Sequence, residues 1–156
     1  MKILGIDPGT LTLGFSVIEG LKNPKLITAG TIKLPRSQYL SKRLKMIYDE
    51  LTKIILVHNT QILGLEMPFS HLNKQTFMKL GYVRGILLLL AEQHNMEIRE
   101  FAPTQVKQNV TGSGAATKAD VAWALSLLFP AYGATLKTTN NHDMTDAIAV
   151  GVSACR

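Results

Sequence analysis

The chain has 156 residues, 46% of them hydrophobic and 18% charged, with one cysteine, Cys155. That length suits a single domain over 1–156 and excludes two full-sized lobes, and the ordinary apolar content excludes a disordered chain. Seventeen Lys and Arg against eleven Asp and Glu give +6, the balance of a domain with a polyanionic partner such as nucleic acid.

Other classes fall away on local features. The longest aliphatic run, Ile86 to Leu90 with Ala91 behind it, is far below the roughly 20 residues of a membrane span. Asp7 comes too early for the apolar stretch of a signal peptide. A lone cysteine makes neither an internal disulfide nor a cysteine metal cage. The expected setting is intracellular and cytoplasmic, with no membrane partner.

In chain order, Lys2 to Ile6 is a short apolar run that stops at Asp7-Pro8-Gly9-Thr10, a buried strand followed by a turn. Thr12 to Ile18 and Lys25 to Leu34 are rich in β-branched and aromatic residues, and the three runs predict an antiparallel meander. Leu40, Leu44, Ile47, Leu51 and Ile54 recur at intervals of four and three, the mark of an amphipathic helix. Gln61 to Leu65 is another strand, ended by Glu66.

A helix over about Lys74 to His94 carries two apolar stripes, Phe77, Leu80, Arg84 and Leu87 on one and Val83, Ile86 and Leu90 on the other. One stripe must face the sheet and the other something else. The second stripe is expected to be a homodimer interface. Met96 to Phe101 predicts a fifth strand, Pro103 opens a short helix, and Thr111 to Ala115 is a glycine loop. A helix through Val121, Leu125 and Leu128 stops before Pro130; Tyr132 to His142 reads as loop. A last helix runs from about Asp143 to Ala154. The expected class is α/β, a mixed five-stranded sheet with helices on its faces.

The charges are unevenly spread. Lys33 to Lys45 holds five basic residues (Lys33, Arg36, Lys42, Arg43, Lys45) and no acid. Met67 to Ala91 holds Lys74, Lys79 and Arg84 and no acid, and from Phe101 to Asn141 the only acid is Asp120. Against that background Asp7 and Glu66 each stand directly after an apolar strand, where burial without a partner is costly. Asp143 and Asp146, three apart, project from one face of the last helix. That helix also carries Ala147, Gly151 and Ala154, a stripe of small residues that lets its backbone approach a sheet closely. Laid beside the two strands, it brings four carboxylates together, an all-oxygen set suited to Mg²⁺ or Mn²⁺ rather than zinc.

Each residue also has an ordinary reading. Asp7 serves a Pro-Gly turn, Glu66 pairs with a nearby base, Asp143 caps the helix and Asp146 sits well on its dipole. The glycine loop is then mere flexible chain, and the basic run a solvated face. The joint order of the features decides between the two sets.

Ile3-Leu4-Gly5-Ile6-Asp7-Pro8-Gly9-Thr10 with Gly14-Phe15 resembles the opening of the RuvC-type Holliday junction resolvases, of the ribonuclease H-like superfamily. Glu66 falls at that family's fourth-strand acid, and Lys79 to Gly85 matches its next helix. Val106 to Ala115 with Lys118 resembles its DNA-contacting segment, and Asp143 to Ala149 its terminal acidic helix. The likeness runs through essentially the whole chain.

The resemblance implies a structure-selective DNA endonuclease, a homodimer that resolves four-way junctions and other branched DNA. Asp7, Glu66, Asp143 and Asp146 would be catalytic and would hold two Mg²⁺, with Mn²⁺ able to substitute and Asp7 bridging. Lys107 and Lys118 would lie near the DNA backbone and Phe69 near the junction centre, with Lys74 a further DNA-binding candidate. The sequence stops at Arg156, just past the acidic helix, which suits a phage-encoded form and leaves tail-mediated docking to a branch-migration motor unexpected. The alternative of the same fold is a nuclease of structured RNA. An actin-type ATPase needs two lobes, and a junction binder without catalysis has no use for four acids.

Overall fold

The three opening runs are strands β1 (Lys2–Asp7), β2 (Thr12–Glu19) and β3 (Lys25–Lys33) in the computed structural model, which describes residues 1–68, 73–138 and 141–156. They form the expected antiparallel meander. Helix α1 (Leu40–His58) crosses back along the sheet, and strands β4 (Ile62–Glu66) and β5 (Glu97–Phe101), linked by α2 (Lys74–Gln93), extend it in parallel. The order is β3-β2-β1-β4-β5, a mixed five-stranded sheet of the ribonuclease H-like kind. Helices α3 (Pro103–Thr111), α4 (Lys118–Leu128), α5 (Gly133–Thr138) and α6 (His142–Ser153) complete the chain. Among the described residues no helix is long and apolar enough to cross a membrane.

Strand alternation divides the core into two layers. Leu4, Ile6, Leu13, Val17, Leu63 and Leu65 pack under α1 and α2. Ile3, Ile18 and Ile62 pack on the other face with α4 and α6. Because side chains alternate with a period of two, Gly5 and Asp7 point the way Ile3 does, towards α6, and Gly64 and Glu66 follow Ile62.

The small residues have a definite use. Ser16, Gly5 and Gly64 stand in register across three neighbouring strands and form a shallow trough. Helix α6 lies in it, buried over most of its length. A Cβ on Gly5 would fall 2.5 Å from the Ala147 carbonyl oxygen and from the Gly151 amide nitrogen. The Ser16 hydroxyl donates to the Ala147 carbonyl at 2.8 Å. At the far end, Arg99 donates to the carbonyl of Ala154 at 2.7 Å, satisfying an acceptor that the helix itself leaves open.

Two expectations need correction. The segment read as loop from Tyr132 to His142 begins on the last residue of a 3₁₀ turn (Pro130–Tyr132) and contains α5, which plugs Leu136 into the core. Helix α2 turns the opposite way from the reading that gave Val83, Ile86 and Leu90 to a partner. Val83, Leu87, Leu90 and Ala91 are buried against the sheet and Ile86 packs beside them. The exposed apolar residues are Phe77, Met78, Tyr82, Leu88 and Leu89.

Candidate active site

Three separate stretches of chain bring the acids to one end of the sheet. Asp7 ends β1 and Glu66 ends β4, one position beyond the Ile6–Leu65 pair and on the face covered by α6. Asp7 pairs across the sheet with Gly14, and a Cβ on Gly14 would lie 2.0 Å from the Asp143 carbonyl oxygen. The first turn of α6, carrying Asp143 and Asp146, is thereby laid against the strand next to Asp7. Capping is not the task of Asp143, contrary to its ordinary reading. Asn141 is the N-cap, its side-chain oxygen accepting from the Met144 amide at 3.2 Å.

The electrostatics record this crowding. Burial, with Asp146, Glu66 and Asp143 close by, pushes the Asp7 carboxyl up to about 8 against the pull of Lys118. Burial and Asp146 push Glu66 up to about 7, with Lys118 and Lys107 acting the other way. Glu66 has no salt-bridge partner among the described residues. Lys118 stands at the edge of the acids, its Nζ 3.3 Å from the Asp146 carboxylate.

Oxygen-only donors that repel one another in a half-buried recess suit a hard divalent cation. Among the described residues no three acidic, histidine or cysteine side chains are drawn together tightly enough to enclose an ion as they stand. The fit is one of chemistry and of shared location.

Beside the acids lies a cavity of ≈170 Å³ lined by Asp7, Pro8, Glu66, Met67, Pro68, Leu80 and Arg84. Arg84 Nη1 donates to the Glu66 carbonyl oxygen at 3.1 Å, and its other terminal nitrogen pairs with the Glu100 carboxylate. The guanidinium so ties the ends of β4 and β5 to α2. Sequence reasoning missed this by grouping Arg84 with an apolar stripe; a cation inside such a stripe is the signal that was there to find. A larger depression, ≈770 Å³ between α3, α4 and the end of α6, contains none of the four acids.

The glycine loop is built rather than slack. Gly112 takes φ +82 at the end of α3, and the Gln108 side chain binds both the Gly112 carbonyl (2.8 Å) and the Gly114 amide (3.0 Å). Lys107 lies on α3 close enough to act on Glu66. Lys74, exposed at the first position of α2, is not among the charges that act on Asp7 or Glu66. Phe69 lies outside the described residues.

Comparison with known proteins bears on the family and the fold. The family model described as crossover junction endodeoxyribonuclease RuvC matches residues 3–154. RuvC of Halorhodospira halophila is 36% identical over 151 residues, covering 97% of this chain and 87% of that protein. RuvC of Rickettsia akari is 38% identical over 151 residues, covering 96% and 94%. Among solved structures, Thermus thermophilus RuvC in complex with a Holliday junction substrate shares the fold, with a TM-score of 0.87 at 23% identity over 98% of this chain and 92% of that one. An acid at the end of each of two neighbouring strands, an acidic helix seated on their glycines, and this likeness over nearly every residue lead to one conclusion: the chain belongs to the RuvC family of crossover junction endodeoxyribonucleases.

Proposed function

We propose that this crossover junction endodeoxyribonuclease hydrolyses its substrate at Asp7, Glu66, Asp143 and Asp146, which together hold two Mg²⁺ ions, with Mn²⁺ able to replace them. The carrying observation is Asp7, a carboxyl pushed up to about 8 by burial and three neighbouring acids. Such a group is stable only protonated or beside a cation. Divalent cations held by these carboxylates would supply activation of the attacking water and offset charge on the leaving 3′ oxygen. The P–O3′ bond breaks, leaving a 3′-hydroxyl and a 5′-phosphate.

The chain's own residues set the geometry. Asp7 and Glu66 are fixed by strand ends, and Arg84 holds the Glu66 carbonyl. Lys118 exchanges its contact with Asp146 for a phosphate once the acid is neutralised, Lys107 and Lys74 also bind DNA, and Phe69 serves at the junction centre. A four-way junction needs two opposed cuts, which a two-fold homodimer supplies. The exposed face of α2, with Met78, Tyr82 and Leu89 at spacings of four and seven, is the proposed interface. The enzyme works in the cytoplasm.

A Mg²⁺ titration of cleavage on a four-way junction, beside forked, flap and linear duplexes and a structured RNA, tests this reading. Junction cutting that vanishes in chelator is expected, with Ca²⁺ supporting binding but little cutting. Full activity in EDTA, or preference for the RNA, overturns it.

A further inference from the structure

The acid-free run Lys33 to Lys45 has no part in the site described above, yet the topology brings it to the same end of the sheet. Asp7 pairs with Gly14 and Gly14 with Thr31, so β3 ends at Lys33 two residues beyond the level of Asp7, at the acids' end of the sheet. The connection to α1 stays there. The Leu34 amide donates to the Leu11 carbonyl at 2.8 Å, and Arg43 Nη1 donates to the Thr10 carbonyl at 2.6 Å, on the turn that follows Asp7. With strands about 4.8 Å apart, β3 stands about 10 Å from β1.

Lys33, Arg36 and Lys42 are exposed there, and none has an ion-pair partner among the described residues. Lys45 differs, being paired with Asp49 at 2.5 Å. Between Arg36 and Lys42 stands Tyr39, 80% exposed. It occupies the N-cap position of α1 without making a side-chain cap bond, so the ring has no structural duty there. Free cations with an exposed aromatic among them form the surface that grips a nucleic acid backbone and stacks on a base. Lys107 and Lys118 belong to α3 and α4, on the other side of the acids.

We propose that Lys33, Arg36 and Lys42, with Tyr39, form a second DNA-gripping surface. It would hold a junction arm on the β3–α1 side of the cut, opposite the Lys107 side. This rests on the junction-cleaving reading and extends it: the scissile strand is held on both flanks of the acids. Arg43 ties the start of α1 to the turn that follows Asp7.

The test is the salt dependence of junction binding in Ca²⁺, by fluorescence anisotropy. Arg36→Gln with Lys42→Gln should lower the slope of log K against log salt by about two units, at roughly 0.9 per lost phosphate contact. Lys22→Gln with Lys25→Gln removes the same charge from the opposite end of the sheet and should leave the slope nearly unchanged. Tyr39→Ala should weaken binding roughly tenfold with the slope unchanged. Equal effects of the two double variants would mean a general charge effect and overturn the proposal. It is overturned too if Lys107→Ala lowers the slope and the Arg36/Lys42 pair does not, although the junction reading then stands. If wild type binds no junction at all, both fall.

Discussion

Gly5→Ala tests whether the seat of α6 sets the catalytic geometry. The added Cβ lies 2.5 Å from the Ala147 carbonyl oxygen, 2.5 Å from the Gly151 amide nitrogen and 2.6 Å from the Gly151 Cα, whereas ordinary contact begins at 3.4 Å. All three are backbone atoms, so no rotamer change relieves the clash. The helix must lift from the sheet by about 1 Å, since the interior has no slack to absorb it. Forced overpacking of this kind costs about 1–3 kcal/mol. The same lift carries Asp143 and Asp146 away from Asp7 and Glu66, and a misplacement of about 1 Å costs about 100-fold in rate. Urea unfolding and single-turnover junction cleavage at saturating Mg²⁺ measure the two effects. Binding in Ca²⁺ should change little, because the gripping lysines lie on other elements. A Gly5→Ala protein of unchanged stability that cuts within about threefold of wild type would refute the reasoning.

Four further outcomes follow from the site. Asp143→Asn should abolish cutting and preserve junction binding, whereas Asn141→Ala should cost about 1 kcal/mol by removing the cap; near wild-type cutting by Asp143→Asn would make Asp143 structural. Asp7 and Glu66 are pushed up to about 8 and about 7, so the native state holds protons that the unfolded state has lost. Metal-free stability should therefore fall as pH rises from about 4 through 8, while Mn²⁺ affinity and cutting rise over about pH 6 to 8 with proton release on binding; calorimetry in two buffers that shows no proton uptake by buffer would contradict this. Arg84→Ala should raise the Mn²⁺ midpoint and lower kcat with KM little changed, because the Glu66 strand end loses its tether; partial recovery in Arg84→Lys is expected, and an unmoved midpoint would limit Arg84 to packing. Leu89→Glu should give a monomer by sedimentation, and a persisting dimer would exclude the exposed face of α2 as the interface.

Legibility in the sequence followed the strength of local signals. The strands could be read because β-branched runs end at turn residues, and the acidic ends of β1 and β4 because a carboxylate after an apolar run is expensive. The stripe Ala147, Gly151, Ala154 announced a close helix–sheet approach, which Gly5 and Gly14 complete from the other side. Orientation was not legible where both faces of an element are apolar. Helix α2 could have turned either stripe inward; Gly81 and Gly85, with open space where a Cβ would stand, mark its outer side only in retrospect. α5 was missed because a six-residue helix, in which Leu136 is the only buried residue among those described, has no periodicity to display. The Arg84–Glu100 and Lys118–Asp146 pairs join residues 16 and 28 apart, and no local pattern announces such partners.

The acids weaken the fold where they sit, and the surrounding structure is arranged to bear it. Repulsion among Asp7, Glu66, Asp143 and Asp146 would drive α6 from the sheet if that end were its only attachment. The helix is held independently along its length: by the Asn141 cap at its start, by Ser16 at Ala147, by the apolar contacts of Ile148, Val150 and Val152, and by Arg99 at its end. None of these anchors is a carboxylate of the site. Removing one acid therefore relieves strain without unseating the helix, and the metal-free protein should become more stable. The opposite holds for the anchors. Ser16→Ala would leave the Ala147 carbonyl buried without its hydroxyl donor and destabilise the chain by about 1 kcal/mol, while all four acids remain present.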